Sequence, residues 1–152
     1  MSDEMQPITF KVEGELPPKK SGWGNPTDTE PKRLLALRRR ALKAVRSAFT
    51  GPVRLSLSVH VGDQAPEVTD AGEKGFGDLD NFVSGVCDGL MAADPNAGIH
   101  ELFDRPENAD VDPMKKIAFR DDQQVMEIHA RKRITPGNHC WYEVGLEPLK
   151  EA

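Results

Sequence analysis

The sequence predicts a small mixed α/β domain, one sheet covered by two helices in the order β-α-β-α-β-β. Three observations predict it. Four stretches read as strands, the first two with clear apolar/polar alternation of period two. Two stretches carry an apolar stripe at helical spacing. The chain of 152 residues has room for a single domain with one core, taken as 1–152.

The first strand is Ile8 to Val12, where Ile8, Phe10 and Val12 alternate with Thr9 and Lys11. Pro17-Pro18 stops it, and the Pro- and Gly-rich stretch from Pro17 to Glu30 reads as a loop. Residues 31–49 read as a helix with Pro31 near its start. Leu34, Leu37, Ala41, Leu42, Val45, Ala48 and Phe49 share its apolar face, and Lys32, Arg39, Lys43 and Arg46 gather opposite. Seven basic and no acidic residues lie between Lys32 and Arg46, so this face is either solvated or turned to phosphate. Gly51-Pro52 breaks the helix, and Val53 to Val61 is the clearest strand. His60 falls on its polar side and is expected to face solvent. Gly62 to Gly77 reads as a loop.

A second helix is expected from near Asp80 to about Met91, with Phe82, Val83, Val86 and Leu90 buried. Asp80, Ser84 and Asp88 line its other face. Residues 92–118 form a long acidic excursion, ordered in part around Ile99, Leu102 and Phe103. Gln124 to Lys132 and Cys140 to Glu147 are the last two strands, with Thr135-Pro136-Gly137-Asn138 as turn chemistry between them.

Composition narrows the function classes. No apolar run approaches the roughly 20 residues that span a bilayer, and MSDEMQPITF has neither the basic start nor the apolar stretch of a signal peptide. A cytoplasmic protein is therefore expected. Cys87 and Cys140 are too few for a disulfide framework and are expected as buried free thiols. The net charge of −5 argues against a protein that merely coats DNA.

The chemistry concentrates in Gly77-Asp78-Leu79-Asp80-Asn81-Phe82. In extended chain, side chains at i and i+2 point the same way, so Asp78 and Asp80 can converge on a hard cation such as Mg2+. Alone, the pattern is better explained by Asp80 as a helix N-cap or turn residue. Asp121-Asp122, just ahead of a strand, adds a second acidic pair. Carboxylates gathered from two neighbouring elements repel one another unless a cation joins them.

With these residues in place, the chain resembles the RusA family of Holliday junction resolvases. The resemblance rests on ITFKVEGELPPKK, the strand PVRLSLSVHV, Asp78-Leu79-Asp80-Asn81 leading into a helix with Asp88-Gly89-Leu90, and Asp121-Asp122-Gln123-Gln124-Val125 opening a last hairpin. These occur in the family's order across most of the chain. The resemblance implies a homodimeric Mg2+-dependent endonuclease that nicks four-way DNA junctions symmetrically. It implies Asp78, Asp80 and Asp122 as catalytic carboxylates, and the same three with Asp121 as the metal site. Candidates for DNA contact are Lys19, Lys20, Arg39, Lys43, Arg46, Lys115 and Lys116.

Three departures stand out. Ser84 occupies the position of the family's lysine, leaving Lys74, Lys115, Lys116 and Lys132 as substitutes for its charge. The 92–118 excursion is longer than the family's link, and the pI is acidic. Two other readings stay open: a non-catalytic nucleic-acid-binding dimer on this fold, and a nuclease for other branched DNA. Trp23, Ile99, Leu102 and Phe103 have no evident place in so small a core, which suggests that some line a subunit interface.

Overall fold

The computed structural model describes residues 6–19, 29–66, 79–93, 98–99 and 101–149. Within them the main elements are β1 (Ile8–Glu13), α1 (Thr29–Ala44), β2 (Val53–Gly62), α2 (Leu79–Leu90), β3 (Val125–Thr135) and β4 (Trp141–Pro148). Short 3-10 turns lie at Glu101–Asp104, Pro106–Asn108 and Asp122–Gln124. The expected mixed α/β architecture and its element order hold.

Period-two alternation makes the sheet one-sided. Phe10 and Val12, then Val53, Leu55, Leu57, Val59 and Val61, then Tyr142, Val144 and Leu146 are buried on one face. Leu37, Ala41 and Val45 around α1, and Phe82, Val86 and Leu90 of α2, pack into that same core, so both helices cover one face of the sheet.

The strand order is β1-β4-β2-β3. β4 runs antiparallel between β1 and β2, with Val144 opposite Phe10 on one side and Leu57 on the other. β3 runs parallel to β2, with Ala130 opposite Leu57. This corrects the expected last hairpin: β3 and β4 are consecutive but not neighbours, because β2 lies between them. The physical reason is burial. Tyr142, Val144 and Leu146 are buried and take an interior position, whereas Glu127, Arg131, Lys132 and Arg133 suit an edge. The connection between them crosses the end of β2, where Gln64 N donates to Gly137 O at 2.7 Å and Gly137 N donates to the Asp63 carboxylate at 3.1 Å. A parallel β2–β3 pair also requires a crossover, which α2 and the excursion supply.

α1 is shorter than expected at its far end. It closes at Ala44, and Phe49 is not helical. Phe49 N instead donates to Ala118 O at 2.6 Å, and Phe49 bridges Phe119, both rings being buried. At the near end the helix takes in Thr29 and Glu30, residues expected in the loop. β3 extends three residues past Lys132, to Thr135.

The excursion is part of the fold. Leu102, Phe103, Val111 and Ala93 form a second buried cluster with Leu34 and Leu35 of α1, and Ile99 packs on it. The expectation that Ile99, Leu102 and Phe103 had no place in the core is thus overturned, and the excursion itself buries them. Trp23 lies outside the described residues. Arg38 of α1 is the centre of this arrangement. Its side chain is 0 % exposed and donates to the carbonyls of Gly89 (2.8 Å), Met91 (2.7 Å), Asp112 (2.5 Å) and Lys115 (2.8 Å). One guanidinium therefore ties α1 to the end of α2 and to both sides of a turn in the excursion.

Close approach at α2 depends on two glycines. A Cβ at Gly85 would overlap the Pro18 carbonyl, and one at Gly89 would press on Leu37. The buried Pro17-Pro18 segment thus lies directly on α2. Cys87 and Cys140 are buried free thiols, as expected. No helix among the described residues is long and apolar enough to cross a membrane.

Candidate metal and nucleic-acid site

Asp80 is the second residue of α2 and exposed, so it is not the residue that caps the helix. Its helical backbone also removes the extended-chain argument for pairing it with Asp78, which lies outside the described residues. In the first turn its charge complements the helix dipole, a contribution of about 0.3–1 kcal/mol. Spacing along α2 places Asp80, Ser84, Cys87 and Asp88 along one side.

The second acidic pair is held by a capping box. The Asp121 carboxylate accepts from Gln123 N at 2.9 Å, and Gln124 Oε1 accepts from Asp121 N at 3.2 Å and Arg120 N at 2.9 Å. Gln124 Nε2 then donates to Phe49 O (2.8 Å) and Gly51 O (3.0 Å). Gln124 is therefore a positioning residue: it pins the acidic turn to the linker behind α1. The Asp121-x-x-Gln124 pattern was the sequence signal for it. Asp122 opens the turn and is exposed.

The chain ahead of the acidic turn is tied to the end of α2 opposite Asp80. Ala118 N donates to Leu90 O at 3.0 Å, which anchors the chain ahead of the turn to the end of α2. Burial, and after it the carboxylates of Asp88 and Asp122, push the Cys87 thiol up to about 12. Asp80 stands about two turns from Cys87, toward the helix start. Among the described residues no three His, Cys, Asp or Glu side chains are placed to hold one metal ion.

The basic candidates separate. Arg33 and Arg38, two of the seven basic residues between Lys32 and Arg46, are buried. Arg33 pairs with Glu30 at 3.1 Å. Arg39 donates to Asn108 at 2.7 Å and lies 3.6 Å from Asp110, so the excursion provides the acidic neighbour that local sequence lacked. Lys43, Arg46, Lys115 and Lys116 are exposed. Lys19 is half-buried, its backbone N–H donating to Glu30 at 2.6 Å. Lys20 and Lys74 lie outside the described residues.

The uncovered face of the sheet is a separate surface. It carries a depression of about 430 Å3 lined by Ser56, Ser58, His129, Arg131, Glu143 and Glu147 among others. Its charges are largely paired: Arg54 sits 2.9 Å from both Glu127 and Glu147. His60 is not simply solvent-facing; it stacks on Trp141 at 3.7 Å, with Lys11 Nζ 3.9 Å from the same ring. Burial, then Arg133 and Arg131, lower its pKa. None of the predicted carboxylates among the described residues lines this depression.

No protein-family model matches the chain, and no curated protein matches it in sequence.

Proposed function

We propose that this protein is a Mg2+-dependent endonuclease of the kind that resolves four-way DNA junctions, similar to the RusA family, acting as a homodimer in the cytoplasm. The observation that supports the reading is the hydrogen bond from Ala118 N to Leu90 O, which ties the chain ahead of the Asp121-Asp122 turn to the helix whose first turn carries Asp80. A protein that only binds DNA has no use for such charge facing phosphate.

The donor set suits the ion in kind, since carboxylate oxygens are hard ligands and Asp80 and Asp122 are exposed. Asp78, Asp80 and Asp122 would hold it, with Asp121 as neighbour. When bound, the ion supplies a polarised phosphate and a water of lowered pKa. The chain's own contribution is placement. Gln124 fixes the acidic turn, α2 presents Asp80, and without the cation the carboxylates repel the DNA backbone. Ser84 brings no positive charge, so charge stabilisation has to come from elsewhere, with the exposed Lys115 and Lys116 as candidates. Lys43 on α1 and Arg46 just past its end offer backbone contact.

The test is Asp80→Asn on a synthetic four-way junction, with and without Mg2+. Nicking should fall by more than about a hundredfold, beyond what outer-shell changes around a metal cost, while junction binding persists or tightens. Loss of the dipole contribution, about 1 kcal/mol at most, leaves the protein folded. Wild-type nicking by a folded Asp80→Asn sample would falsify Asp80 as a ligand.

A further inference from the structure

The uncovered face of the sheet carries chemistry that the carboxylate site does not use. Adjacent strands align four of its side chains two by two, Ser56 opposite His129 and Ser58 opposite Arg131. All four line the depression of about 430 Å3. Neighbouring strands lie about 4.8 Å apart, and alternate residues about 6.6 Å apart along a strand. The four side chains therefore leave the sheet at the corners of a small rectangle. Two hydroxyls, an imidazole and a guanidinium at that spacing can all reach one tetrahedral oxyanion.

The charges here are left over, unlike those at the other end of the face. There Arg54 is held between Glu127 and Glu147, each at 2.9 Å. Arg131 is exposed and forms no ion pair among the described residues. Its hydrogen bond to Ser58 Oγ is long, at 3.5 Å, and Ser58 Oγ lies 3.4 Å from His60 Nε2. Contacts of that length leave the guanidinium and the hydroxyl with capacity for a ligand. The excess of positive charge is felt at His60, whose pKa burial, then Arg133, Arg131 and Lys11, lower against an opposing Glu143.

We propose that this depression binds a small phosphate monoester, of nucleotide or sugar-phosphate size, with its phosphate on Ser56, Ser58, His129 and Arg131. The site is separate from the carboxylates and does not depend on nuclease activity. Arginine suits the phosphate because its planar fork donates two parallel hydrogen bonds. The volume is that of a small-molecule pocket rather than of a phosphate alone, so the rest of the ligand lies toward β1. The floor there is Gly145, between Ser56 and Thr9. Without a side chain it lets a ring rest on the strand; a Cβ would already stand 3.3 Å from that of Ser56. Glu143, two residues back along β4, is exposed and accepts from hydroxyl or amino groups of the ligand. A continuous nucleic-acid strand suits this surface poorly. Its further phosphates would meet Glu127, Glu143 or Glu147, which flank the patch. One anionic group followed by neutral donors matches the order of charges.

The experiment is calorimetry on the full chain, with adenosine monophosphate and glucose phosphate as probes. A chelator is present, so that no divalent cation bridges a probe to the carboxylates. At least one ester should bind with a Kd of millimolar or below, and adenosine and glucose should not bind. Arg131→Ala should weaken binding at least tenfold, the scale of a lost charged hydrogen bond. Gly145→Val, which fills the floor, should weaken it as much. Arg105→Ala, exposed in the excursion, should leave it unchanged. Thermal unfolding verifies that each variant is folded. Binding of neither ester overturns the proposal, as does binding that survives Arg131→Ala or Gly145→Val. Inorganic phosphate bound as tightly as the esters would mean an adventitious ion only and overturns it too. A short DNA strand without terminal phosphates that binds through Arg131 more tightly than either ester would overturn it in favour of a nucleic-acid surface.

Discussion

At the scale of single residues, Arg38 has the largest structural role. Burial lowers its pKa to about 10, opposed by Asp112, so the guanidinium keeps its charge at neutral pH. Its four carbonyl acceptors come from the end of α2 and from the excursion. Arg38→Met keeps much of the apolar volume and removes every one of these donors. Each buried carbonyl left unsatisfied costs about 1–3 kcal/mol, less whatever water recovers. We expect a loss of at least about 3 kcal/mol in denaturant unfolding. Amide exchange should rise first around residues 101–115, because Arg38 is what closes that turn. Unchanged stability and exchange would show that the buried carbonyls find other donors. Sequence reading placed Arg38 in a run of basic residues and saw nothing special in it, because its acceptors lie 51 to 77 residues away.

At the scale of elements, the position of α2 depends on the absence of side chains at Gly85 and Gly89. These glycines cost helix propensity, roughly 1 kcal/mol each against alanine, yet both sit in a 12-residue helix. The contacts explain why. At Gly85 the obstacle is the Pro18 backbone, which cannot swing aside as a flexible side chain can. Gly85→Ala, which would stabilise an isolated helix, should therefore destabilise this protein by about 1–3 kcal/mol, the usual scale of overpacking. Thermal unfolding checks it. Gly89→Ala meets the tip of Leu37 and should cost less. A higher melting temperature for Gly85→Ala would mean that the Pro17-Pro18 segment does not rest on α2. The helices themselves were legible from their apolar stripes. Their ends were less so, since Phe49 leaves the helical pattern to bond with Ala118.

At the scale of the whole molecule, charge is distributed against expectation for a DNA-gripping protein. The net charge is −5, and Arg33, Arg38, Arg39 and Arg54 are engaged within the protein. The exposed Lys43 on α1 and Arg46 just past its end are then cations available for backbone contact. Replacing both with Glu should weaken binding to junctions of any sequence. It should also flatten the salt dependence of affinity by about one slope unit per lost phosphate contact. An unchanged slope would assign this face to solvent. The second cluster around Phe103 and the core beneath the sheet share α1, so the excursion is expected to unfold with the domain.

What the sequence determined by itself was local. The alternation in Val53–Gly62 and the stripe in α2 set the identity and order of the elements, because buried faces recur with the period of the backbone that carries them. The capping pattern at Asp121 and Gln124 was also written locally. Tertiary structure decided the rest. It placed β2 between β3 and β4, although a short turn-like link joins those two strands, because the buried face of β4 needed neighbours on both sides. It folded the excursion onto Leu34 and Leu35, and it tied Ala118, ahead of the acidic turn, to the end of α2. None of these has a local signature. Each depends on which apolar surfaces and carbonyls are left over once the individual elements have formed.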